Sequence, residues 1–170
     1  MKNRQDLLFL AGLFAFLLIL VLWLRPGGKS SGRSFGASLP SVSSTETKSL
    51  DACPTAKCLT VYVAPWCRIC RQSTGAIAAL GKHLKERGVD TRIVVGDGSP
   101  EDIRAYAQEL GPGTLMDLDN QVPVSGGVPN FIVSDSAGKI LYAIPGVPGI
   151  YQPPFSEQVL QEFAAFLSLP

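Results

Sequence analysis

The sequence predicts an α/β domain whose central sheet contains both parallel and antiparallel strands. From about residue 51 onward, apolar β-rich segments alternate with segments of helical periodicity. Two further β-rich segments then flank a glycine-containing turn, which is typical of a hairpin. Alternating strands and helices favour parallel strands with helices packed on the sheet, and the closing hairpin adds antiparallel strands.

Each element has its own local signal. The apolar run at residues 59–64 is typical of a strand buried on both faces, and Pro65 ends it. Ser99 before Pro100, followed by two acidic residues, is typical of a helix start. The predicted strands are residues 59–64, 91–95, 131–134 and 140–144, and the predicted helices are residues 67–87, 99–110 and 156–167.

The charge balance argues against one class of function. The 170 residues carry 15 Lys and Arg against 14 Asp and Glu, which gives a net charge of +1. Nucleic-acid-binding proteins present a strongly basic face, so we expect no nucleic-acid partner. The four cysteines are too few for a scaffold built from disulfides, and the domain is long enough to form its own core.

Residues 1–24 are predicted to form a signal-anchor transmembrane helix. Residues 7–24 are a run of 18 residues without charge or proline. As a helix, this run would span about 27 Å, close to the hydrocarbon thickness of a bilayer. A cleaved signal peptide has a shorter apolar run and a small-residue cleavage site, and no such site follows directly here. A cleaved signal and a buried helix are the alternatives.

Residues 25–50 are predicted to be a flexible linker, because they are rich in Ser and Gly and lack aliphatic periodicity. The folded domain is accordingly expected at residues 51–170. Basic residues flank the apolar run on both sides, so the positive-inside rule does not decide which side of the membrane the domain faces.

The pair Cys67 and Cys70 is the strongest functional signal. It lies where the strand at residues 59–64 meets a helix, the context in which C-x-x-C indicates redox chemistry. Free N–H groups and the helix dipole there would stabilise a thiolate on Cys67, and Arg68 adds positive charge. Cys70, one turn into the helix, is placed to resolve a mixed disulfide. A static disulfide, two packed thiols and a zinc site are the alternatives.

A second motif, Gly126-Gly127-Val128-Pro129, directly precedes the strand at residues 131–134. Proline at the start of a strand favours a strand edge or a special turn, and X–Pro bonds adopt the cis form at low cost. A cis bond would turn the Val128 backbone outward as a short docking edge. An ordinary trans turn is the alternative.

Together these motifs resemble the thioredoxin family. Residues 63–70, with the sequence Val-Ala-Pro-Trp-Cys-Arg-Ile-Cys, precede Gly127-Val128-Pro129 and a hairpin in the order that the family has. The chain is similar in particular to membrane-tethered, periplasm-facing thioredoxin-like proteins of bacteria. The resemblance covers about residues 57–168. It implies a thioredoxin-like three-layer fold, with helices on both faces of a mixed sheet.

The resemblance also implies roles for individual residues. Cys67 would be the attacking thiol, Cys70 the resolving thiol and Pro129 the cis-proline that faces them. The further residues implied to support the reaction or to line the substrate groove are Trp66, Arg68, Val128 and Gly146.

Two positions depart from the family pattern. Thioredoxins proper carry a buried acidic residue where this chain has Val61, so the carboxylate that assists proton transfer to the second cysteine is missing or supplied elsewhere. The dipeptide between the cysteines is Arg68-Ile69, whereas thioredoxin proper has Gly-Pro. Because this dipeptide influences redox potential, the sequence leaves the direction of exchange open between reduction and oxidation.

Cys53 and Cys58 are expected to form a structural disulfide with each other. Cys58 starts the strand that ends before Cys67, so more than about 20 Å of extended chain separates these two. A disulfide needs Cα atoms within about 7 Å, and a zinc site built from all four cysteines meets the same objection. Free thiols or a second exchange site are the alternatives. A bridge would persist in an oxidising compartment, which favours a domain outside the cytoplasm.

The sequence therefore predicts an enzyme that exchanges disulfides with protein thiols and needs neither a metal nor an organic cofactor. A membrane or soluble redox partner would supply or accept electrons. The expected location is the bacterial inner membrane, with a single-pass anchor and the domain in the periplasm or another extracytoplasmic space. The alternative is a non-catalytic binding module that uses the groove at Pro129, with the cysteines as a structural bridge.

Other polar side chains have ordinary explanations. His83 is near Lys82 and Lys85 and is expected to be solvated. Asp117 and Asp119 are expected to be solvated loop acids, and a calcium site or a role in proton transfer is the alternative.

Overall fold

The computed structural model of the protein describes residues 33–44, 46–149 and 153–170. The predicted membrane anchor at residues 1–24 and the first linker residues lie outside them. No helix among the described residues combines the length and apolar character that crossing a bilayer requires. The elements are β1 (Ser38–Pro40), β2 (Thr47–Ser49), β3 (Lys57–Val63), α1 (Arg68–Glu86), β4 (Asp90–Val95), α2 (Pro100–Leu110), β5 (Leu115–Met116), β6 (Asn130–Asp135), β7 (Ile140–Pro145) and α3 (Glu157–Phe166).

Five of these strands form the main sheet, in the order β5-β4-β3-β6-β7. β3 pairs in parallel with β4, and β4 with β5, while β6 runs antiparallel to both β3 and β7. β3 lies at the centre, and its side chains from Cys58 to Val63 are all buried. The predicted mixed sheet and its closing hairpin are confirmed.

Two of the helices begin at capping serines. Ser99 Oγ accepts a hydrogen bond from Asp102 N at 3.1 Å, and Pro100 occupies the first position of α2. Ser156 Oγ accepts from Val159 N at 3.3 Å at the start of α3. These side chains satisfy backbone donors that would otherwise have no partner in the first turn.

The three described helices pack on one face of the sheet. Their buried side chains share a single core with the strand residues that point to that face. The implied arrangement with helices on both faces is therefore wrong for the described residues. The reason is topological: α2 connects β4 to β5 on that face, and a loop, not a helix, returns from β5 to β6. Members of this core include Leu59, Val61, Ile77, Leu80, Ile103, Tyr106, Phe131 and Phe163.

The opposite face is covered by residues 33–44 and 46–50 and by the loop after β5. β1 and β2 pair antiparallel as a short ribbon, and the apolar side chains of this segment pack against the sheet. The predicted flexible linker is therefore wrong from residue 33 onward, and the packed domain begins before residue 51. This second core contains Phe35, Ala37, Leu39, Leu50, Tyr62, Val94, Leu115, Val122 and Ile132.

Charged side chains fix the backbone of this N-terminal segment. The Asp51 carboxylate accepts hydrogen bonds from Phe35 N at 2.9 Å and from Gly36 N at 3.1 Å. Arg92 of β4 donates to the Leu50 carbonyl at 3.1 Å. The Asp51 bonds fix the segment internally, and the Arg92 bond joins it to the sheet in addition to its apolar packing.

Replacing Leu39 with Ala tests whether the segment belongs to the folded domain. Leu39 is fully buried, so Leu39→Ala is expected to lower the free energy of unfolding by about 2–5 kcal/mol. Its exposed neighbour provides the control, and Ser38→Ala should change stability by less than about 0.5 kcal/mol. Urea denaturation of both variants measures the difference, and equal stabilities would contradict the packed arrangement.

Candidate active site

Cys67 and Cys70 lie at the junction between β3 and α1. Cys67 is the N-cap of α1, and Cys70 lies one turn further along the helix. The two side chains form a disulfide, with their Cα atoms 5.2 Å apart. The Cys70 backbone N–H donates to Cys67 Sγ at 3.0 Å, so the Cys67 sulfur receives one of the free N–H groups that begin the helix.

The two sulfurs differ in their access to solvent. Cys67 is 5% exposed, whereas Cys70 is fully buried. Large apolar side chains stand beside Cys67, with Trp66 exposed by 65% and Ile69 by 52%, and the Arg68 side chain is exposed as well. The surface beside the disulfide therefore combines an apolar rim with a positive charge, and Cys67 is the more accessible of the two cysteines.

Hydrogen bonds hold the Trp66 indole in place. Trp66 Nε1 donates to the Asp97 carbonyl at 2.7 Å, and Asp97 N donates to Asn120 Oδ1 at 3.2 Å. Three loops are joined by these bonds at the same end of the sheet. They border a small surface cavity of about 350 Å³ beside the disulfide. Its lining includes Tyr62, Trp66, Val122, Val124 and Val128.

The predicted proline motif faces the cysteines. The Val128–Pro129 peptide bond is cis, and the Val128 carbonyl oxygen lies 3.6 Å from Cys67 Sγ. Gly146 N donates to the Pro129 carbonyl at 2.7 Å, which brings the glycine after β7 to the same loop. The structure thus brings together residues that are far apart in the sequence: Cys67, Cys70, Val128, Pro129 and Gly146.

Arg71 is a site residue that the sequence analysis missed. Its Nε donates to the Pro65 carbonyl at 3.0 Å, and its Nη1 pairs with Glu109 of α2 at 2.8 Å. The guanidinium also lies 4.4 Å from the centre of the Tyr106 ring. Arg71 therefore ties the turn before Cys67 to the neighbouring helix. An arginine in the first helical turn beside C-x-x-C carries little signal by itself, because its partners come from elsewhere in the chain.

Asp117 is buried, and the expectation that it is a solvated loop acid is wrong. Its carboxylate accepts hydrogen bonds from Gln121 N at 2.7 Å and Val122 N at 3.0 Å. The Tyr62 hydroxyl donates to it at 3.4 Å. Burial, together with the Asp117 charge, raises the pKa of Tyr62 well above its usual range, so the phenol keeps its proton. Asp119 is exposed, as expected.

The Asp117 contacts shape the loop that leads to Val128. Asp117 N also donates to the Val95 carbonyl at 2.8 Å, which fixes the residue at the end of β4. One sequence feature could have predicted this role, namely that Asp117 stands at the start of a polar turn. Asp side chains in turns commonly accept hydrogen bonds from backbone N–H groups a few residues further along the chain.

Cys53 and Cys58 form a second disulfide, with their Cα atoms 5.8 Å apart. Cys58 lies near the beginning of β3, at the opposite end of that strand from Cys67. The structure therefore keeps the two cysteine pairs at separate ends of the domain. Among the described residues, no group of three or more His, Cys, Asp and Glu side chains is placed to hold a metal ion.

His83 is buried, and the expectation that it is solvated is wrong. Its Nδ1 lies 3.3 Å from Glu157 Oε2 at the start of α3. Arg87 also contacts Glu157, at 2.5 Å. These contacts join the end of α1 to α3, on the helical face and away from the cysteine pairs. The packing of α3 against α1, which periodicity alone does not reveal, is the reason that His83 leaves solvent.

The strand order, the hairpin and the position of the Cys67–Cys70 disulfide define a thioredoxin-like fold. No protein-family model and no curated protein matches the sequence. Solved structures do match, and three of them show which proteins this fold resembles.

The first is a candidate thiol:disulfide interchange protein DsbE from Chlorobium tepidum, with 22% identity and a TM-score of 0.58 over 80% of this chain and 96% of that chain. The second is the exposed lipoprotein thioredoxin Etrx1 from Streptococcus pneumoniae, with 21% identity and a TM-score of 0.53. The match covers 74% of this chain and 98% of that chain. The third is a secreted Mycobacterium tuberculosis disulfide oxidoreductase homologous to E. coli DsbE, with 11% identity and a TM-score of 0.53. The match covers 77% of this chain and 96% of that chain. These matches establish the thioredoxin fold.

Replacing Asp117 tests whether its carboxylate organises the loop beside Cys67. Asp117→Ala leaves two backbone N–H groups without their acceptor and is expected to cost about 2–3 kcal/mol of stability. Asp119→Ala, two residues away and exposed, should cost less than about 0.5 kcal/mol. Chemical denaturation of both variants measures this contrast, and an Asp117→Ala protein as stable as the wild type would contradict the assigned role.

Proposed function

We propose that this protein is a thiol–disulfide oxidoreductase that exchanges disulfides with protein substrates through Cys67 and Cys70. One observation carries the proposal: the Cys67 sulfur accepts the Cys70 N–H at the start of α1 and lies 3.6 Å from the Val128 carbonyl. The N–H groups and the positive end of the helix dipole stabilise a thiolate at that position. The carbonyl and amide groups next to Pro129 then offer backbone partners to an extended substrate.

The proposed reaction consists of two successive thiol–disulfide exchanges. In the reducing direction, the Cys67 thiolate attacks one sulfur of a substrate disulfide, the substrate S–S bond breaks, and the other substrate sulfur leaves as a thiolate. Cys70 then attacks Cys67 Sγ of the mixed disulfide, which releases the second substrate thiolate and forms the Cys67–Cys70 disulfide. The oxidising direction is the reverse. The reduction potential of the couple decides which direction prevails in the cell.

The difference in access to the two sulfurs supports separate roles for them. Cys67 has some exposed surface and stands beside exposed Trp66 and Ile69, whereas Cys70 has none. A substrate sulfur can therefore reach Cys67, and Cys70 can act only on a disulfide already formed at Cys67. Trp66 and Ile69 provide apolar contact area for the substrate chain, and Arg68 adds a positive charge at the rim.

The structural neighbours are compatible with this chemistry. Proteins described as a disulfide interchange protein and as a disulfide oxidoreductase share the fold over most of their length. Their names concern those proteins, and for this chain the support comes from the arrangement of its own cysteines.

Trapping a mixed disulfide tests the proposal. In a Cys70→Ser variant the resolving thiol is absent, so a substrate captured by Cys67 should remain attached. An unfolded protein with disulfides serves as a defined substrate, and non-reducing electrophoresis with peptide mapping identifies the linkage. The expected product links Cys67 to a substrate cysteine and disappears on addition of a reductant.

The Cys67→Ser/Cys70→Ser double variant is the matched control and should capture nothing through this site. If the Cys70→Ser variant captures no substrate, although its Cys67 is free and the protein is folded, the enzyme proposal fails. That outcome would favour a binding module in which Cys67–Cys70 is a structural bridge.

The same proposal includes a membrane tether. The uncharged run at residues 7–24 supports a single-pass anchor. The Cys53–Cys58 disulfide supports a domain on the oxidising side, in the periplasm or another extracytoplasmic space, because such bonds are rare in the cytosol. Electrons would then come from or pass to a membrane or soluble redox partner.

A reporter joined to the C-terminus tests the orientation. Alkaline phosphatase is active only outside the cytoplasm, so its fusion after Pro170 should be active in the host bacterium. Removal of residues 7–24 provides the control, since this fusion should remain inside and inactive. An inactive full-length fusion, accompanied by an active cytoplasmic reporter at the same position, would contradict the orientation.

A further inference from the structure

The Cys53–Cys58 disulfide lies in a setting that a purely structural bridge does not need. A surface cleft of about 830 Å³ opens beside it, at the opposite end of β3 from Cys67. Cys53 forms part of the wall of this cleft. The cleft is therefore separate from the Cys67–Cys70 site and has one cysteine of a disulfide in its wall.

The two sulfurs of this bridge are not equivalent. Cys53 is 9% exposed and lines the cleft, whereas Cys58 is fully buried. A thiol that enters the cleft meets Cys53 first. In an exchange reaction the sulfur that is not attacked becomes the leaving group, so the departing thiolate would be that of Cys58.

Arg92 is positioned to stabilise that leaving thiolate. Its Nη2 lies 3.6 Å from Cys58 Sγ. The guanidinium is held by Asp90 at 2.9 Å and by the Leu50 carbonyl at 3.1 Å, and its side chain is only 12% exposed. The Ala52 carbonyl accepts a further hydrogen bond from Nη2. Asp90 Oδ2 also lies near Cys58 Sγ, at 3.9 Å, and its negative charge opposes a thiolate there. The guanidinium is closer to the sulfur and offsets that charge, which favours the charged form of Cys58 and makes it a better leaving group.

The charges of the cleft select among thiols. Arg92 and Asp90 pair with each other, and Lys48 on the cleft wall adds a further positive charge. A small thiol that carries an acidic group would therefore be attracted, and a cationic thiol would be disfavoured. The volume of the cleft accommodates a small molecule, in the range known for ligand sites of about 300–1,000 Å³.

We propose that Cys53–Cys58 is a second exchange site, which reacts with small anionic thiols. The thiolate of the small molecule attacks Cys53 Sγ, a new S–S bond forms between them, and the Cys53–Cys58 bond breaks. Cys58 leaves with the bonding electron pair as a thiolate beside Arg92. The small thiol is thereby oxidised to a mixed disulfide and Cys58 is reduced, and attack of Cys58 on the mixed disulfide reverses the step.

The test uses two thiols of similar size and opposite charge. The Cys67→Ser/Cys70→Ser variant of the full chain keeps only the second disulfide and removes any contribution from the first. It is treated under native conditions with 2-mercaptoethanesulfonate or with cysteamine, each rate being corrected for the reactivity of that thiol toward a small-molecule disulfide. Intact mass and peptide mapping identify the adduct. We expect the sulfonate to react faster and its adduct to lie on Cys53.

Two further substitutions separate exchange chemistry from simple support of the fold. Arg92→Gln should slow the opening by about tenfold, the loss expected when a charged partner of a buried thiolate is removed. A merely structural arginine would give the opposite result, because losing its bonds to the Leu50 and Ala52 carbonyls would loosen the bridge and speed its opening. Lys48→Gln should slow the sulfonate by about two- to threefold and leave cysteamine unaffected or faster.

Three outcomes would overturn the proposal. The first is a bridge that opens only when the protein unfolds, as followed by circular dichroism in the same samples. The second is an adduct on Cys58, and the third is an Arg92→Gln variant that opens as fast as the parent or faster. The outcome is independent of the Cys67–Cys70 chemistry, since both of those cysteines are absent from the protein used.

Discussion

The geometry of the junction between β3 and α1 is the constraint on which the candidate site depends. Gly96 N donates to the Val63 carbonyl at 3.0 Å, and Cys67 N donates to the Ala64 carbonyl at 3.1 Å, so the chain turns directly from the central strand into the helix. Arg71 closes the turn by donating to the Pro65 carbonyl. A Cβ at Gly96 would lie 2.0 Å from the Tyr62 hydroxyl oxygen, so any larger residue there would displace the Tyr62 side chain. This turn places Cys67 at the start of the helix.

The parts of the fold that short-range patterns specify could be predicted from the sequence. The start of a helix depends on a capping side chain and on the first helical turn that follows it, as at Ser99 and Ser156. Helix starts can therefore be predicted from a few neighbouring residues. The buried central strand and the hairpin follow from runs of apolar residues around turns. The approach of Val128 to Cys67 could be expected only through the resemblance to a family, because nothing in the spacing of these residues brings them together.

The parts that depend on distant partners could not be predicted. Apolar residues alternate at Phe35, Ala37 and Leu39, yet the run is too short and too rich in Ser and Gly to stand out from a linker. The segment forms strands because its apolar side chains cover a sheet face on which no described helix packs. The local sequence does not reveal that this face needs covering. The burial of Asp117 could not be predicted for the same reason, since its hydrogen-bond partners come from three different segments.

The central claim is that the junction makes Cys67 the reactive sulfur of its pair. Alkylation of the reduced protein by limiting iodoacetamide, followed by peptide mapping, tests this claim most directly. The account predicts that Cys67 is modified first and faster than a free cysteine at neutral pH, because the start of α1 stabilises its thiolate, while buried Cys70 reacts slowly. Modification of Cys70 first, or of Cys67 no faster than a free cysteine, would contradict it.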